Sequence, residues 1–252
     1  MSSIVKLASH RGPAAAGMGQ AFLSPHGRTE RDEHLSLDAV FDGATVESVA
    51  SGRTVFWEGD KAEHIVKISE GLLRICRILH DGRRAIAGFA SAGDVLGLSF
   101  KDRYLFSAEA ITPVKVMKIT RRQLDAFLHD KPCGPQLVCD HVRDELCAAQ
   151  DQMMILVHQC AEARLAGFLC QMARKLTGDL SPGVEFDLAM PRADIADHLG
   201  LTMETVCRSI TRLRKTGYIG MKGAHRIRLC DPSKLIALAG TVDGVTDGRV
   251  RA

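Results

Sequence analysis

The residues of this sequence best equipped for chemistry lie together near its C-terminal end, in MPRADIADHLGLTMETVCRSITRLRKTGYI. Read as two short helices, Pro191 to Leu199 and Thr202 to Arg214, the segment buries Ile195, Ala196 and Leu199 from the first and Val206, Ile210 and Leu213 from the second. Gly200 permits the sharp turn between them and Thr202 can cap the second helix. Thr205, Arg208, Ser209 and Arg212 are then expected to face outward, with Glu204 near the start. Such a face suits the base edges of a major groove: a guanidinium donates two hydrogen bonds to guanine O6 and N7, and a carboxylate accepts from cytosine N4. Lys215 closes the helix, where a backbone phosphate is the expected contact. Cys207, in the second turn beside Arg208, is a candidate redox-sensitive thiol that bound DNA would cover.

Charge is concentrated in the same segment. The 252 residues carry 33 Lys and Arg against 30 Asp and Glu, a formal net charge of +3, which neither demands nor excludes a polyanionic partner. Between Met203 and Cys230, however, Arg208, Arg212, Arg214, Lys215, Lys222, Arg226 and Arg228 stand against Glu204 alone. A local excess of that size is what a phosphate backbone rewards through counterion release.

The elements that must position this segment can be read from changes of period. From Thr45 to Met117 the chain breaks into short β-branched or apolar runs (Thr54 to Trp57, Ile65 to Ile68, Leu72 to Leu79, Ala85 to Phe89, Val114 to Ile119) separated by turn pairs such as Asp81-Gly82. An antiparallel sandwich or roll is expected there, after a short helix carrying Leu35, Leu37, Val40 and Phe41. Then Cys139, Val142, Leu146, Ala149, Met153, Leu156 and Cys160 recur at steps of three and four, a stripe along a helix of about six turns. So narrow and long a seam favours pairing with a second copy of the chain over packing on its own sandwich. A further helix over Ala161 to Leu176, a loop and short strand over Leu180 to Leu188, and a hairpin over Tyr218 to Leu229 complete the expected elements. The fold class is therefore α+β. The expected units are a tail over 1–34, a β-rich domain over 35–132, a dimerisation helix over 133–160, a DNA-binding domain over 161–235 with its helix-turn-helix at 191–214, and a second tail over 236–252.

With these features the sequence resembles the CRP/FNR superfamily of transcription regulators, from about Leu37 to Leu235. The most specific part is Glu204-Thr205-Val206-Cys207-Arg208, which fits the FNR-type pattern of Glu, two residues, Ser or Cys, then Arg. The stretch Gly52 to Arg74, with its Glu58-Gly59-Asp60 turn and Gly71, matches the family's cyclic-nucleotide-binding-like β-roll. The resemblance implies a winged helix-turn-helix in which Glu204 and Arg208 read a TTGA-like half-site. It also implies an effector, and there the sequence departs. Cyclic-nucleotide binders carry Gly-Glu-Leu and Arg-Ser where this chain has Gly97-Leu98-Ser99 and Phe106-Ser107, so an acceptor for the ribose and a cation for the phosphate are missing. No cysteine precedes Cys76, so the N-terminal thiolates that hold a [4Fe-4S] cluster in FNR-type oxygen sensors are missing too. What remains resembles the FixK branch, which implies an activator of microaerobic respiration, denitrification or nitrogen-fixation genes.

The eight cysteines show no paired framework and are expected to be thiols, with Cys76, Cys170 and Cys230 in the core. Cys133, Cys139, His141, Cys147, His158 and Cys160 match no zinc spacing, and His158 and Cys160, two apart on a helix, would not face each other. No nucleophile-base-acid arrangement or phosphate-cradling loop supports an enzyme, and no cofactor or metal is expected. The expected partners are double-stranded DNA, a second copy of the chain and RNA polymerase, in the cytoplasm and without a membrane. Two alternatives stay open: a regulator of the same fold that senses another small molecule or haem, and a nucleotide-binding regulatory module that does not bind DNA.

Overall fold

The computed structural model describes residues 37–99, 102–130, 134–158 and 160–240. After a 3₁₀ turn at Leu37–Phe41, eight strands build two four-stranded sheets: β1 (Val46–Val49), β2 (Thr54–Phe56), β3 (His64–Glu70), β4 (Leu72–Ile78), β5 (Arg84–Ser91), β6 (Val95–Leu96), β7 (Ser107–Ala110) and β8 (Val114–Thr120). The strand orders are β1-β8-β3-β6 and β2-β7-β4-β5, all pairs antiparallel. Ile68, Leu73, Ala108 and Val116 meet between the sheets and are fully buried. Gly71 makes the turn from β3 to β4 at φ +92°, where any side chain would drive into the Pro113 carbonyl. Asp81-Gly82 turns β4 into β5, whose paired residues run from Leu72↔Ser91 to Ile78↔Arg84. This is the antiparallel roll expected from the sequence.

Four elements of the roll were not among the expected ones. β1 and β7 are short and carry polar or small residues, β6 is only two residues long, and the helix α1 (Arg121–His129) is set by a capping box in which Thr120 and Gln123 exchange side-chain and backbone bonds. The long helix α2 spans Gly134–Val157, 24 residues or about 36 Å. It stops short of Cys160, which instead precedes the first residue of α3 (Ala161–Thr177) as its N-cap, so the seam expected to run to Cys160 ends on α2. His158 likewise lies outside α2. The remaining seam residues, Cys139, Val142, Leu146, Ala149, Met153 and Leu156, are all exposed on the single chain.

The C-terminal part packs α3 against α5 (Met203–Lys215) and α6 (Pro232–Ala239), and α5 against α4 (Arg192–Leu199), with a three-stranded sheet of β9 (Glu185–Asp187), β10 (Ile219–Lys222) and β11 (Arg226–Leu229) in the order β10-β11-β9. The helix α6 carries the folded region past Leu235 to Ala239, beyond the start expected for the C-terminal tail. Leu35 and Cys133 lie outside the described residues.

The two parts share a core. Leu72, Cys76, Ile86 and Phe89 of the β4–β5 hairpin belong to one cluster with Phe168, Leu169, Ile195 and Leu199 of the helical part. Around it, Arg74 and Arg84 both reach Asp194 on α4, at 2.9 and 2.5 Å, while Arg74 also holds Glu109 and Arg84 holds Asp197. The His198 ring stands edge-on to Phe89 and Phe168, with Nδ1 3.1 Å from the Ile86 carbonyl. Burial lowers the His198 pKa, which keeps the ring neutral in this contact. Cys76 is buried in the same interface, its thiol pushed up to about 11 mainly by desolvation, whereas Cys230, expected in the core, is exposed.

Candidate nucleic-acid interface

The helix α5 begins where its sequence says it should. Gly200 ends α4 in the left-handed region at φ +62°, Leu201 follows, and the Thr202 hydroxyl accepts from the Thr205 N–H at 3.2 Å. Thr202 and Thr205 also share a hydroxyl–hydroxyl bond of 2.8 Å, so both are engaged in closing the helix start. Val206, Ile210 and Leu213 turn inward against the core, which fixes the rotation of the helix and hence what it displays.

Glu204, Cys207, Arg208, Thr211, Arg212 and Lys215 line one shallow concave surface along the outside of α5. Glu204 and Arg208 face each other one turn apart at 3.5 Å, both more than 70% exposed (76% and 72%), a pairing loose enough for either to exchange it. The Arg212 guanidinium binds Glu162 at the start of α3 at 2.9 Å. Cys207 is exposed between them, its carbonyl accepting from the Thr211 hydroxyl at 2.9 Å. Ser209, expected to face outward, is 2% exposed and packs inward between Val206 and Leu213. A small hydroxyl in a polar segment looked like surface, yet three residues after Val206 lies on the buried face. Arg214 is exposed at the end of the helix, and Arg226 in the hairpin β10–β11 is held by Asp187 at 2.9 Å. The sequence reading missed Glu162, which no pattern in the recognition segment reveals because it lies 50 residues away.

Comparison with known proteins fits this geometry. Residues 46–131 match the cyclic nucleotide-binding domain and residues 163–238 the Crp-like helix-turn-helix domain. The chain is 37% identical over 190 residues to the nitrogen fixation regulation protein FixK of Bradyrhizobium diazoefficiens, covering 75% of this chain and 80% of that protein. The chain belongs to the CRP/FNR family of transcription regulators. Within this family it is also 38% identical over 185 residues to the transcriptional activatory protein AadR of Rhodopseudomonas palustris, over 73% of this chain and 77% of that one. The solved structure of FixK2 from Bradyrhizobium japonicum superposes with a TM-score of 0.72 at 33% identity, covering 77% of this chain and 96% of the other. A CRP/FNR regulator acts by binding DNA through its helix-turn-helix, not as an enzyme, and α4 and α5 lie within the residues that match that domain. No helix among the described residues is long and apolar enough to cross a membrane.

The family's effector region is also in view. Leu98 and the Phe106-Ser107 pair are the residues that the sequence resemblance sets against the acid and the Arg-Ser of cyclic-nucleotide binders. The Ser107 hydroxyl accepts from the Glu58 N–H at 2.9 Å, and the Phe106 ring lies under the Arg77 guanidinium at 5.8 Å. Beside α2 a cavity of about 470 Å³ is bordered by the carboxylates of Asp94, Asp144 and Glu145, and its Lys175 is bound to Asp94 at 2.6 Å.

Proposed function

We propose that the chain is a FixK-type, predominantly activating regulator that binds a TTGA-like palindrome as a homodimer, and that it does so without cyclic AMP or an iron-sulfur cluster. The observation that carries the reading is the pair Glu204 and Arg208, exposed one turn apart on a helix whose opposite face is fully packed. Two groups so held can approach a cytosine N4 and a guanine O6 and N7 in one groove. The exposed seam of α2 supports the dimer: Val142, Leu146, Met153 and Leu156 would bury an apolar stripe against its two-fold mate. Recognition helices about 34 Å apart then meet successive major grooves. The FixK relative is a nitrogen fixation regulation protein and AadR a transcriptional activatory protein, which supports reading this chain as an activator of nitrogen-fixation, denitrification or microaerobic-respiration genes with RNA polymerase as its partner at the promoter.

Independence from a cyclic nucleotide rests on the uncharged side chains at Leu98 and Phe106 and on the acidic border of the cavity. Cys207 gives the reading a redox side, because a thiol exposed next to Arg208 can be oxidised to an acid that repels phosphate. The dimer is tested by Met153→Glu. Sedimentation should show a monomer, and affinity for a full palindromic duplex should fall by at least tenfold; a monomer that binds the full site as tightly as wild type would refute the arrangement.

A further inference from the structure

The residue Cys160 belongs neither to the seam expected for it nor to the core, and its contacts lead to the recognition helix. Its thiol donates to Oε2 of Glu162 at 2.8 Å, and Oε1 of the same carboxylate accepts from Arg212 Nη1 at 2.9 Å. The carboxylate is thus held from both sides: the Cys160 hydrogen bond and, with it, the Arg212 charge keep its pKa below the usual carboxylate range. The two ends differ in mobility. Glu162 sits in the first turn of α3, where the helix N-terminus favours a negative charge, and its side chain is only 21% exposed. Arg212 is 73% exposed and reaches Glu162 by one nitrogen, Nη1.

We propose that Glu162, anchored by the Cys160 thiol, is a positioning residue for DNA binding: it grips one edge of the Arg212 guanidinium so that the remaining N–H groups are presented to a DNA phosphate. A free arginine loses rotamer freedom when it docks, and a side chain already fixed on one edge has less to lose while keeping donors for a second partner. The arrangement differs from that of Arg208, whose partner Glu204 lies on the recognition helix and enters the groove with it. Glu162 stays behind on α3, so it acts on DNA only through Arg212. The inference rests on the reading of α5 as the recognition helix and of Arg212 as a contact to DNA.

A double-mutant cycle on the full-length protein with a palindromic duplex, titrated over a range of salt concentrations, tests it. Arg212→Ala should weaken binding and make the log–log salt slope shallower by about one per subunit. Glu162→Ala should weaken binding roughly two- to tenfold, the cost of ordering one long side chain. The same change made in the Arg212→Ala background should have no further effect. Glu162→Gln, whose amide oxygen still accepts from Arg212, should recover most of the affinity, and Cys160→Ser, which keeps a donor, should stay near wild type while Cys160→Ala falls between. Thermal melting of each variant separates loss of fold from loss of positioning. Tighter binding by Glu162→Ala would overturn the proposal, making Glu162 a competitor of the phosphates; so would additive losses in the cycle. An unchanged salt slope in Arg212→Ala would instead remove Arg212 from the DNA contact and leave the role of α5 to be judged on Arg208.

Discussion

Asp194 on α4 and Glu204 on α5 are both helix carboxylates paired with arginine, yet the first is 2% exposed and the second 76%. Asp194 is gripped by two guanidinium groups from the β4–β5 hairpin, each of which holds a further carboxylate, in a desolvated contact next to His198 and Phe89. Glu204 has one partner on its own helix at 3.5 Å, in water. The first helix of the motif is therefore fastened to the roll, while the Glu204–Arg208 pair on the second costs almost nothing to exchange. A DNA reader needs both: a fixed base, and side chains whose current partners are weak enough to be replaced by bases and phosphates.

The comparison predicts unequal effects of equal chemistry. Asp194→Ala should lower the unfolding free energy by about 3 kcal/mol, at the low end for breaking a buried pair because Arg74 and Arg84 each retain a second carboxylate. Glu204→Ala should change it by under about 0.5 kcal/mol. Urea denaturation of both variants checks the pair, and similar losses would dissolve the contrast.

Peroxide should draw the same line between two cysteines. Cys207 is exposed on α5, whereas Cys76 is buried under α4 with its thiol pushed up to about 11 and so is inert at neutral pH. Over-oxidation of Cys207 adds a negative charge near phosphates, worth about 1 kcal/mol or roughly fivefold in DNA affinity. Wild type should lose that affinity and Cys207→Ala should keep it; equal loss in both would assign the sensitivity to another thiol.

A third contrast depends on pH. Because the folded state holds the His198 pKa below its ordinary value, the unfolded chain takes up the proton first, and stability should fall as pH drops below about 6.5. His141 on α2 works in the opposite direction. Burial lowers its pKa, but Glu145 and the Val95 carbonyl outweigh this and raise it, so its contribution is present in acid and is lost as pH rises. His198→Phe should flatten the acid limb of a Tm-versus-pH curve, and an unchanged limb would remove His198 as its cause.

The recognition segment was legible because its signals are local. Gly200, Thr202 and the spacing of Val206, Ile210 and Leu213 fix two helices and their buried faces within about 25 residues. Strands β2, β3, β4, β5 and β8 were visible as β-branched or apolar runs. In contrast, β7, Ser107–Ala110, has little strand propensity of its own and is held by pairing with β2 and β4 on either side. The start of α1 was written in the sequence as Thr120 and Gln123, a capping box that went unread. Cys160 continues the periodicity of α2 although the helix has already ended, because a repeat of threes and fours cannot show where the backbone turns. The Asp194 cluster was out of reach: Arg74 lies 120 residues away, and only the fold brings it there.

The reading of bases by α5 is tested most directly by a base-by-base affinity profile over a TTGA-containing palindrome for wild type, Arg208→Ala and Lys215→Ala. Arg208→Ala should lose about 1 to 3 kcal/mol and relax the preference at one guanine in each half-site, whereas Lys215→Ala should weaken every sequence alike and keep the profile. A profile left intact by Arg208→Ala would contradict the assignment of α5 as the helix that reads the site.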